Sequence, residues 1–95
     1  MTRTIEKLMS LSRVEFEMSL VALDPAAVLD ANGHASVTFA STEARIRFET
    51  LPDRRLGGLL AMPQARVRIT LANATDAQAA AFLRRFDIAF QRGGG

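Results

Sequence analysis

The sequence predicts one α+β domain, an antiparallel sheet covered by an amphipathic helix, and three stretches carry that expectation. Ala65, Val67, Ile69 and Leu71 alternate with Arg66, Arg68 and Thr70, the period of two that marks a half-buried strand. Next, Thr75 and Gln78 have the spacing of a capping box, and behind them Ala79, Phe82, Leu83, Phe86 and Phe90 recur at helical spacing. Upstream, two more alternating runs, 35–40 and 43–49, are joined through Ser41-Thr42 and should pair as an antiparallel hairpin. The fold expected is a ferredoxin-like βαββαβ-type antiparallel four-stranded sheet with an added C-terminal amphipathic helix. An antiparallel meander covered by one helix is the alternative.

In chain order, residues 1–12 read as an N-terminal arm or tail. Ile5, Leu8 and Met9 stand at i, i+3 and i+4, enough for one or two helical turns capped by Thr4. The domain proper is expected to span 13–91. It opens on a strand in which Val14, Phe16, Met18, Leu20 and Ala22 alternate with Glu15, Glu17 and Ser19. Asp24-Pro25 and Asn32-Gly33 then bracket a short helix as start and stop signals, although Asn-Gly also suits a hairpin turn. Between Leu51 and Pro63, Leu56, Leu59 and Leu60 suggest a helical turn. Gly57-Gly58 weakens it by roughly 2 kcal/mol relative to alanines, so a loop competes. The chain closes on a flexible glycine tail at 92–95.

Composition narrows the function. Among 95 residues, 48% are hydrophobic and 23% charged, the balance of an ordinary globular domain. Six Phe without Trp or Tyr place the aromatic mass in a core. With no Cys and a single His, His34, thiol chemistry and thiolate or paired-imidazole metal sites are excluded, and no cofactor is expected. A net charge of +2 is weak support for nucleic acid or anionic lipid. Polar residues interrupt the first dozen positions too early for a signal core, and no apolar run is long enough for a membrane span. A cytoplasmic address follows as the expectation.

Two sets of residues stand out as candidate sites. Arg45, Arg47, Arg66 and Arg68 should share the solvent face of the sheet with Glu15, Glu17, Glu43 and Glu49. Four guanidinium groups there suit an anionic ligand, but cross-strand ion pairs account for them as well. That face carries no aromatic platform for nucleic-acid bases. Leu56, Leu59, Leu60, Met62 and, on the last helix, Ile88 are apolar residues beyond the needs of one core, and such surplus marks partner surfaces. No Gly-rich phosphate loop, nucleophile elbow or acid–base set is present. The function expected is a small, non-enzymatic, bacterial-type protein–protein interaction or assembly module whose partner is a second copy of itself. An anion-binding module acting through the Arg-rich face is the second expectation.

Overall fold

The structure, a computed structural model, describes residues 2–91; Met1 and the glycine tail lie outside the described residues. Its elements are β1 (Thr2–Met9), α1 (Arg13–Leu23), β2 (His34–Phe39), β3 (Thr42–Leu56), β4 (Leu60–Ala72) and α2 (Asp76–Phe90). They form an antiparallel four-stranded sheet in the order β1-β4-β3-β2. The α+β class and the four-stranded antiparallel sheet are therefore as expected. The ferredoxin-like order is not adopted, because β2, β3 and β4 run as a meander and β1 adds to the β4 edge.

Alternation decides which side of the sheet is covered. Ala44, Ile46, Phe48, Ala65, Val67, Ile69 and Leu71 are buried, while their neighbours Glu43, Arg45, Arg47, Glu49 and Arg68 are exposed. The buried side receives both helices. Phe82, Phe86 and Phe90 of α2 pack there, and Phe16 of α1 lies 4.7 Å from the Phe48 ring and 5.1 Å from Phe90, centroid to centroid. The helices are further tied by Arg85 of α2, whose guanidinium donates to the Ala22 carbonyl near the C-terminus of α1. Orphan carbonyls at a helix end need such donors.

Two regions depart from expectation for identifiable reasons. Residues 13–23 form a helix, not a strand. Ser12 and Glu15 make a reciprocal capping box, and Phe16, Ser19, Leu20 and Leu23 bury one helical face. Val14 and Met18, which also fitted the alternating pattern, are left exposed, and so is Val21. Residues 2–9, expected as helical turns or a tail, pair along their length with β4. Ile5 and Met9 turn to the core, and Leu8 to the open face.

The expected helix after Asp24-Pro25 is instead a loop organised by two carboxylates. Asp24 caps the C-terminus of α1 and accepts the backbone N–H groups of Ala26 and Thr38. Asp30 accepts those of Asn32 and His34. Gly33 holds a φ of 84°, and a Cβ there would collide with the Phe48 carbonyl, so glycine is required at this crossing.

Candidate functional site

The segment from Leu51 to Pro63 is neither a helix nor an irregular loop. β3 and β4 run on beyond the sheet as a two-stranded ribbon, with pairs Arg54↔Met62, Arg55↔Ala61 and Leu56↔Leu60 and a bulge between Leu51 and Arg54. The β1 pairing stops at Met9↔Ala65 and the β2 pairing at His34↔Arg47, so no third strand accompanies the ribbon. Six residues at strand rise extend it by about 20 Å, and the molecule measures 46 × 24 × 23 Å. Gly57, at φ 74°, makes the tip turn possible. At this tip Leu59 is wholly exposed, at 103%, with Leu56, Leu60 and Met62 exposed around it. Ile88 is exposed too, but on the outer side of α2.

A second apolar surface lies on α1. Val14, Met18 and Val21 are 64%, 59% and 50% exposed at positions i, i+4 and i+7, one stripe of the helix. Glu17 stands within it, its Oε2 3.3 Å from Arg13 Nε. Glu15 and Glu17 therefore belong to α1, not to the open sheet face where they were expected; Glu15 completes the cap.

Arg45, Arg47, Arg66 and Arg68 do share the open face, but they fall into two pairs. Arg66 and Arg68 are ion-paired and share Glu6. Arg66 lies 3.2 Å from Glu49 and 3.7 Å from Glu6, and Arg68 lies 3.1 Å from Glu6. Arg45 and Arg47 make no ion pair among the described residues. Register sets Arg47 between Arg68 on β4 and His34 on β2, and sets Arg45 between Thr70 and Ser36. His34, Ser36, Arg45, Arg47, Arg68 and Thr70 border a hollow of about 390 Å³. Sequence reasoning missed His34, Ser36 and Thr70. Alternation put all three on the arginine face, but their pairing depends on the turn at Ala40-Ser41 and on the β3–β4 register, which local pattern does not give.

Two carboxylates titrate abnormally. The Thr38 and Ala26 N–H groups hold Asp24 below the usual carboxylate value of 3.8. The His34 N–H chiefly does the same for Asp30; desolvation opposes it, and the Asn32 N–H and then the charges of His34 and Arg13 add to the lowering. Both act in the loop and neither faces the open hollow. Among the described residues, no helix is long and apolar enough to cross a membrane. Comparison with protein-family models, curated proteins and solved structures finds no match to the chain.

Proposed function

We propose that the chain is a small, non-catalytic, cytoplasmic interaction module that assembles with a second copy of itself, each copy laying its β3–β4 ribbon on helix α1 of the other. The observation that carries this reading is the fully exposed Leu59 at the end of a projecting ribbon whose neighbours are also apolar. Uncovered apolar area forgoes roughly 25 cal/mol per Å² of burial, and contiguous patches of it mark interaction sites. The occupant is argued from complementarity. The ribbon joins its leucines to Arg54 and Arg55, and the α1 stripe joins Val14, Met18 and Val21 to Glu17. Apolar meets apolar, and Glu17, which Arg13 holds from its own helix, is the carboxylate an incoming Arg54 or Arg55 would share. A reciprocal exchange uses both patches of both copies and closes at two, as an isologous interface must.

Multi-angle light scattering on the whole chain tests the reading. The wild type should run at twice the chain mass and Leu59→Ser/Leu60→Ser at the single-chain mass, with unchanged circular dichroism. A wild-type monomer at high micromolar concentration, or a doubly substituted chain that stays dimeric, overturns it.

A further inference from the structure

The open face of the sheet holds a charge arrangement that self-association through the ribbon leaves without a role. Across one row of the sheet the register runs Glu6, Arg68, Arg47, His34; across the next it runs Thr4, Thr70, Arg45, Ser36. Like charges directly opposite on neighbouring strands destabilise a sheet, and Arg47 faces Arg68 in this way. Glu6 offsets Arg68 but is shared with Arg66. Glu43, two positions along β3 from Arg45 on the same face, forms no ion pair with it. Two guanidinium groups thus stand side by side above the same hollow with no carboxylate within ion-pair distance among the described residues.

We propose that this hollow binds a small phosphate ester, held at its phosphate by Arg45 and Arg47 with Arg68 completing the cationic rim. The volume, about 390 Å³, lies in the range of small-molecule sites. Adjacent guanidinium forks match the several oxygens of a phosphate dianion better than a single carboxylate, which one fork satisfies. Ser36 and Thr70 stand on either side of Arg45 in register, so their hydroxyls are placed for the oxygens of a sugar or other alcohol portion. A nucleic-acid strand is the poorer occupant. The core rings Phe16, Phe48, Phe82, Phe86 and Phe90 are buried on the other side, and Phe39 packs against the core, so no phenylalanine is on this face for stacking. The His34 imidazole is a small platform compared with the run of aromatic rings a strand of bases uses.

Isothermal titration of the whole chain with ribose 5-phosphate, AMP, inorganic phosphate, unphosphorylated ribose and a short single-stranded oligonucleotide is the test. Ribose 5-phosphate and AMP should bind in a salt-sensitive way, inorganic phosphate more weakly, and ribose not at all. Arg45→Ala and Arg47→Ala should each weaken binding roughly ten-fold or more, the loss of a charge-assisted contact; Arg84→Ala on α2 should leave it unchanged. Without ligand, Arg47→Gln should raise the melting temperature by about 1–4 °C, because it removes an opposed like charge. A purely structural arginine would lower it. The proposal is overturned if no phosphate ester binds, if Arg45→Ala and Arg47→Ala leave binding unchanged, if inorganic phosphate binds as tightly as the esters, or if only the oligonucleotide binds. Light scattering of Arg45→Ala/Arg47→Ala should still report a dimer, so the two proposals fail separately.

Discussion

Phe82 is fully buried between α2 and the sheet, and Phe86 and Phe90 stack 4.2 Å apart beside it. Cutting Phe82 to Ala should cost about 3–5 kcal/mol, the usual result of emptying a buried aromatic site, read by urea denaturation. A loss below about 1 kcal/mol would mean that the stripe does not anchor the helix. At the β2–β3 turn the fault runs the other way. Ala40 and Ser41 sit at φ 47° and 68°, where L-residues cost roughly 1 kcal/mol or more each. Ala40→Asn/Ser41→Gly should therefore stabilise the chain by about 1 kcal/mol and raise its melting temperature by several degrees. The sequence points to Ser41-Thr42 as the turn, but the turn lies at Ala40-Ser41, two positions away in register. An even slip preserves the face of every side chain. That is why the open-face arginines were legible while their partners His34 and Ser36 were not.

Elements with one unambiguous period are readable from sequence, as α2 and the part of β4 from Ala65 to Leu71 show. Arg13–Leu23 is the instructive miss. Its apolar residues fit a period of two and a helical face at once, and the deciding sign was the Ser12–Glu15 box in front of it. Ser12→Ala should cost about 1 kcal/mol by the same denaturation assay. The loop after α1 was misread because Asp24-Pro25 and Asn32-Gly33 look like helix signals, yet Asp24 and Asp30 bind the N–H groups of Thr38 and His34 across the turn. Both carboxylates have folded values below 3.8. Their stabilisation is complete above that value and is lost as pH falls through the lower, folded one. Stability measured from neutral pH down through 3.8 should accordingly fall less steeply in Asp24→Asn/Asp30→Asn than in the wild type. Parallel curves would contradict the role given to the two carboxylates.

At the scale of the molecule, topology was the least legible property. Placing β1 on the β4 edge requires contacts between residues some sixty positions apart, such as Ile5 with Ile69, and no local pattern encodes them. The ribbon was hidden for a related reason: Pro52, Gly57 and Gly58 break local patterns, yet the strands persist because each is paired with the other. A two-stranded ribbon without a third strand is marginal in water. In dilute, monomeric solution its amides should exchange far faster than those of Val67 or Ile69, and trypsin should cut first after Arg54 or Arg55. Concentration into the dimer range should suppress both.

The chain has no native cysteine, which opens a direct measurement of the ribbon-to-helix contact. Chains carrying only Leu59→Cys are mixed with chains carrying only Met18→Cys under mild oxidation, with Arg84→Cys chains as the control partner. The exchanged-ribbon assembly predicts rapid formation of the Leu59–Met18 mixed disulfide and little with position 84. Equal trapping at both positions, or none at position 18, would contradict it.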